Sequence, residues 1–89
     1  LVEKTVTVQN KLGLHARAAS LFVQTSQGFA SSITVASEAA TADGKSILKM
    51  MLLQAGKGTE IKLKIDGDDE DEAMAALLDL IATKFGEEE

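Results

Sequence analysis

The chain has one histidine and one arginine, His15 and Arg17, and they stand in the string Gly13-Leu14-His15-Ala16-Arg17-Ala18-Ala19. A neutral imidazole is a competent nucleophile near neutral pH. A guanidinium offers a fixed cation whose planar fork suits phosphate oxygens. Gly13 ends one element and the Ala-rich run after His15 begins another, so the spacing puts His15 where a loop enters a helix. The first turn of a helix leaves backbone N–H groups unpaired and carries a partial positive charge, so anions settle there. The N–H groups of Ala16 and Arg17 would form that anion site. Nucleophile, anion site and cation therefore fall together, and the chemistry that uses all of them is a phosphoryl group carried on the imidazole. Taken alone, the two residues read first as an ordinary polar helix start. The surrounding string is what changes the balance.

Composition limits the other chemistries. The 89 residues are expected to form one domain, spanning 1–89, with enough core to fold without staples. There is no Cys, and one His cannot build a His-rich zinc site, so no disulfide framework and no metal site are expected. No cofactor motif is present. The formal net charge is −5, and the three Phe are the only aromatics. Nucleic acid is a poor partner for such a surface, which lacks both concentrated basic charge and stacking platforms. No long apolar run or signal peptide is seen, so the expectation is a soluble cytoplasmic protein that does not bind membranes.

The elements that must position His15 can be read from periodicity. Residues 2–8 alternate with a period of two and predict a half-buried strand. A loop comes next, over Asn10 to Leu14. Residues 16–27 predict a helix, with Ala19, Phe22 and Val23 facing the core and Gly28 as its C-terminal cap. Ile33 and Val35 mark a second strand, and a short third is expected around Ala40-Thr41-Ala42. Ser46 is a good N-cap for a short helix over 47–53, Ile-Leu-Lys-Met-Met-Leu-Leu. A short helix on a sheet buries one stripe. Met50 and Leu53 can share it, but Leu48, Met51 and Leu52 cannot all join them. Exposed apolar side chains are therefore expected here, a mark of a docking surface. Ile61, Leu63 and Ile65 alternate with Lys62 and Lys64 in the clearest strand of the chain. The last helix is predicted over 70–84, with Met74, Leu77, Leu78, Ile81 and Phe85 as its apolar stripe. Asp69 and Glu72 resemble a capping box, and Gly86 with Glu87 to Glu89 reads as a frayed tail. The order βαββαβα, with strands wet on one face, predicts an α+β fold: an antiparallel sheet with the helices on the other face.

Two motif matches fail. Gly44-Lys45-Ser46 looks like the end of a nucleotide-binding P-loop, but Ala39 stands where that loop needs glycine. A calcium loop starting at Asp66 would need Gly and Glu where the chain has Asp71 and Leu77.

The string around His15 resembles the phosphorylation-site motif of HPr, the histidine phosphocarrier family of the bacterial phosphoenolpyruvate-dependent sugar phosphotransferase system. Ser46-Ile47-Leu48 matches a second family segment, and the resemblance covers nearly the whole chain. It implies an open-faced β-sandwich, a four-stranded antiparallel sheet with three helices on one face. It implies that His15 receives a phosphoryl group on Nδ1 from enzyme I and passes it to the A component of sugar permeases, with Arg17 steadying the group. Ile47, Leu48 and Met51 would form the docking patch beside Leu14. Ser46 would be a regulatory phosphorylation site where the host has an HPr kinase/phosphorylase. The protein would be a phosphocarrier, not an enzyme with its own turnover, and a monomer is expected. Two departures stand out. Ala18 replaces the usual proline, and Gln24 and Gln27 stand where many members are basic, leaving Arg17, Lys45 and Lys49 as cations. Three further readings share the residues: a nitrogen-branch paralogue, a regulatory binding module controlled through Ser46, and a small histidine phosphatase. The last normally uses several Arg and His groups, and this chain has one of each.

Overall fold

In the computed structural model, which describes residues 1–89, the strand with the clearest alternation is one of the two inner strands of the sheet. The strands are β1 (Val2–Thr7), β2 (Ser32–Ala36), β3 (Thr41–Asp43) and β4 (Glu60–Asp66). The helices are α1 (Ala16–Gln27), α2 (Ile47–Leu52) and α3 (Glu70–Ala82). The sheet order is β1-β4-β2-β3, and every neighbouring pair is antiparallel. β4 has a partner on each side, Val6 opposite Ile61 on one and Val35 opposite Leu63 on the other. Its residues alternate without exception between buried and exposed. Ile61, Leu63 and Ile65 enter the core while Lys62 and Lys64 stay wet, and both lysines reach Glu3 across the strand, at 3.4 and 3.6 Å. Such surface pairs contribute little, about 0.5 kcal/mol each. The order is βαββαβα and the sheet is open on one side, as the resemblance implied.

All three helices contribute to one hydrophobic core cluster. α1 supplies Ala18, Ala19, Phe22 and Val23, α2 supplies Met50, and α3 supplies Ala73, Met74, Leu77 and Ile81. Leu53, just past α2, is also buried, so Met50 and Leu53 share the inward stripe as their spacing predicts. Burying a side chain such as Phe22 or Leu77 contributes about 2 kcal/mol. No helix is long and apolar enough to cross a membrane.

Several local expectations need correction. β1 ends at Thr7, although Val8 still exchanges backbone bonds with Thr59 and Gly58. The third strand lies one residue later than expected, because Asp43 pairs with Thr34. Gly28 keeps a right-handed conformation (φ −74°), so it closes α1 without the left-handed turn a glycine permits. The capping box does not form. The Asp69 carboxylate instead accepts from the N–H groups of Ala30 and Ser31, at 2.8 and 2.9 Å, and from the Ser31 hydroxyl. The bonds from Ser31 and Ala30 hold its carboxyl below the usual range. Asp69 thus ties the start of α3 to the entry of β2.

The end of α3 departs most. The helix stops at Ala82, and the Thr83 hydroxyl donates back to the carbonyls of Asp79 and Leu80. Lys84, Phe85 and Gly86 then take positive φ in succession (57°, 56° and 76°). Each non-glycine residue in this region costs about 1 kcal/mol. Phe85 is 2 % exposed, so its burial offsets that cost. Its side chain joins the core from a tight turn, not from the helical stripe. The turn sends the chain back along the protein, so the tail is not frayed: Glu87 packs against α1.

Candidate functional site

The loop before α1 is fastened from several sides. Gly13 N–H donates to the Asn10 carbonyl at 3.1 Å, and Leu14 N–H donates to the Ala55 carbonyl at 2.9 Å. The Asn10 amide, fully buried, donates to the Gly13 carbonyl at 2.8 Å. Gly13 has φ +66°, and a Cβ there would fall 2.4 Å from the Ala55 oxygen. Only glycine lets the loop come this close. Leu14 is 5 % exposed and belongs to the core. This corrects its placement on the docking surface: Leu14 anchors the loop and offers a partner almost nothing.

His15 is the N-cap residue of α1, with φ −72° and ψ 179°, and its side chain makes no capping bond. The first intrahelical bond runs from Ala19 N–H to the His15 carbonyl, at 2.8 Å. The N–H groups of Ala16, Arg17 and Ala18 therefore precede the first helical bond, the arrangement that favours an anion. Ala18 is fully buried, so its methyl group serves packing. The side chains of His15 and Arg17 are 28 % and 56 % exposed, open to a visiting molecule.

Glu87 is the residue that sequence reading missed. Its Oε2 lies 2.6 Å from His15 Nε2 and accepts from Arg17 at 2.8 Å, while its Oε1 accepts from the Asn10 amide at 3.0 Å. These bonds, Asn10 first and then His15 and Arg17, hold the Glu87 carboxyl below its ordinary range. Nothing in a Gly-Glu-Glu-Glu run announces such a contact. The signal would have been Phe85, an apolar residue past the helix end that must turn inward and so redirect the chain beyond it. The sequence marks Asn10 only as loop, yet its amide braces both Gly13 and Glu87.

In the second segment the capping expectation is met. Ser46 caps α2, its Oγ accepting from Lys49 N–H at 3.3 Å. Ile47, Leu48, Met51 and Leu52 are exposed, with Leu48 at 68 %, and Leu12 in the His15 loop is exposed as well. α1 and α2 pack together, so the apolar face and the histidine loop belong to neighbouring elements. Lys45 keeps its charge, but its Nζ is tied down by a bond to the Phe29 carbonyl at 2.7 Å. No group of three or more His, Cys, Asp or Glu side chains could hold a metal ion.

Fold and site together define a small open-faced α+β protein with a partly exposed imidazole at the start of a helix. A family model described as the PTS HPr component phosphorylation site matches residues 2–83. The phosphocarrier protein HPr of Neisseria meningitidis is 48 % identical over 89 residues, covering 100 % of both chains. The crystal structure of HPr-C-His from Thermoanaerobacter tengcongensis superposes with a TM-score of 0.95 at 48 % identity, covering 100 % of each chain. A crystal structure of an HPr dimer from the same organism gives 0.78 at the same identity, over 98 % of this chain and 100 % of that one. The chain belongs to the HPr family, the phosphocarriers of the phosphotransferase system.

Proposed function

We propose that this chain carries a phosphoryl group on His15, accepting it from phospho-enzyme I and delivering it to the A component of sugar permeases. The observation that carries the reading is the helix start itself. His15 stands at the N-cap position of α1 beside unpaired N–H groups, its imidazole partly exposed and free of any capping bond, with Arg17 two residues on. A phosphoryl group on the ring would meet the Ala16 and Arg17 N–H groups and a cation, so its charge is stabilised without a metal. The ring stays reachable, as a carrier that meets two partners in succession requires. The exposed residues Ile47, Leu48 and Met51, extended by Leu52 and Leu12, offer both partners the same apolar surface.

The chain works as a single cytoplasmic phosphocarrier domain and a monomer. The test is intact mass after mixing with enzyme I, Mg²⁺ and phosphoenolpyruvate. Wild type is expected to gain one acid-labile phosphoryl group, and His15→Ala none. No transfer from this donor, with transfer from a nitrogen-branch enzyme I, would reassign the protein to that branch. Failure with both would remove the carrier reading.

Ser46 supports a second layer. Its Oγ lies at the start of α2, next to the exposed Ile47 and Leu48. Phosphorylation by an HPr kinase/phosphorylase would place about two negative charges beside the docking face. Binding of a partner through that face would weaken or change. A binding module read through Ser46 alone would keep its partner in His15→Ala, which separates it from the carrier.

A further inference from the structure

We propose that Glu87 is a positioning residue for phosphoryl transfer, holding the His15 ring so that Nδ1 is the nucleophile and facing the charge that develops on the ring. The inference rests on the carrier reading above. It begins from one bond. A carboxylate only accepts hydrogen bonds, so the nitrogen 2.6 Å from Glu87 Oε2 must bear the proton. That nitrogen is Nε2, and in a neutral imidazole the lone pair is then on Nδ1. The Glu87 carboxyl is held below its ordinary range by Asn10, His15 and Arg17, so it is ionised when the ring is neutral.

The two edges of the ring thereby have separate duties. Glu87 occupies the Nε2 edge, and a phosphoryl group on Nδ1 would not displace it. As Nδ1 attacks, the Nδ1–P bond forms and the donor's bond to phosphorus breaks, its electron pair leaving with the donor. The product ring is a phosphorylated imidazolium that still carries its Nε2 proton. Its positive charge faces the Glu87 carboxylate, much as a buried carboxylate steadies the imidazolium of a hydrolytic triad. In onward transfer the N–P electron pair returns to Nδ1, and the proton stays in the bond between Nε2 and Glu87 throughout.

The support for Glu87 is itself ordered. Asn10, fully buried and fixed by the Gly13 carbonyl, holds Oε1. The turn over Lys84, Phe85 and Gly86 holds the backbone, and Phe85 is locked in the core. Arg17 shares Oε2 through one N–H and has further donors left for the phosphoryl oxygens.

The experiment has a spectroscopic arm and a kinetic arm. Long-range proton–nitrogen correlation of ¹⁵N-labelled, unphosphorylated protein at alkaline pH reads the His15 tautomer. Wild type should show an almost pure Nε2–H form, and Glu87→Ala a mixture. Glu87→Gln should keep the Nε2–H form, because its amide oxygen accepts the same bond. In the kinetic arm, phosphoryl uptake from enzyme I and phosphoenolpyruvate should slow about tenfold in Glu87→Ala, the effect of losing one charge-assisted hydrogen bond. Glu87→Gln should regain part of that rate. Unchanged ¹⁵N signals with a wild-type rate in Glu87→Ala would overturn the role of Glu87 and leave the carrier reading standing. Wild type that takes up no phosphoryl group from either branch's enzyme I would overturn both, whatever the tautomer.

Discussion

Replacing Gly13 by alanine should be among the most damaging single-methyl changes available to this chain, and Gly58→Ala is its internal control. Both glycines have positive φ, 66° and 88°. Both variants therefore meet the cost of a left-handed alanine, about 1 kcal/mol. They differ in what surrounds the new methyl. At Gly58 nothing lies within 4 Å. At Gly13 the methyl would sit 2.4 Å from the Ala55 oxygen and 2.6 Å from the Gly56 Cα, both backbone atoms that no rotamer change can move. The loop must retreat, and retreat breaks the bond from Leu14 N–H to the Ala55 carbonyl, worth about 1 kcal/mol. Leu14 is drawn partly out of the core, adding about 1 to 2 kcal/mol. Gly13→Ala should then lose about 3 to 4 kcal/mol and Gly58→Ala about 1, out of a total near 5 to 15. Urea unfolding monitored by circular dichroism measures both. Because Leu14 precedes His15, Gly13→Ala should also shift the His15 amide resonance, while Gly58→Ala leaves it in place. Equal losses in the two variants would refute the argument that close approach of the backbone, and not φ alone, requires Gly13.

Leu48→Asp should leave the urea midpoint almost unchanged, because the side chain is exposed, yet weaken partner binding by at least about tenfold in calorimetry. Met50→Ala in the same helix should do the reverse, losing about 3 kcal/mol of stability by opening a core cavity. Ser46→Ala removes the cap of α2 and should cost about 1 kcal/mol in chemical denaturation. Asp69 makes the protein sensitive to acid. Its folded pKa lies below its unfolded one, so its contribution is present above the unfolded value and is lost as pH falls through the folded value. Stability measured from about pH 5 downward should decline more gently in Asp69→Asn, which starts lower at pH 7. An identical acid limb in both proteins would show that the Ser31 and Ala30 bonds do not matter to it.

What could be read from the sequence was whatever repeats with a short period. β4 and α1 were legible because burial imposes alternation on one and a stripe on the other. The surplus of apolar residues in 47–53 was legible for the same reason, since a short helix cannot hide them all, and Leu48, Met51 and Leu52 are indeed outside. The assignment of Leu14 to the outer surface failed because one residue in a loop has no periodicity to place it. Its burial comes from a backbone bond to Ala55, which no local pattern encodes. Asp69 failed differently: a capping residue was expected, but the N–H groups of Ala30 and Ser31 compete for the same oxygens and win. Glu87 was hidden behind a reversal of handedness at three residues, two of which are not glycine. His15 and Arg17 were singled out by their types and spacing alone. The partners that hold them lie far away in the chain.

The placement of β1 has a consequence for how the protein forms. Its only partner in the sheet is β4, with Val2 opposite Ile65 and Thr7 opposite Glu60. β1 thus waits for β4, the latest of the four strands in the chain. Until then its exposed edge and its valines have no sheet to join, and the histidine loop that hangs from its end has no Ala55 to bind. Pairings this distant in sequence close late, because the loop entropy must be lost before any contact repays it. The His15 loop and the β1–β4 ladder should therefore mature together late in folding, so that a chain still being synthesised does not yet hold His15 in its folded setting.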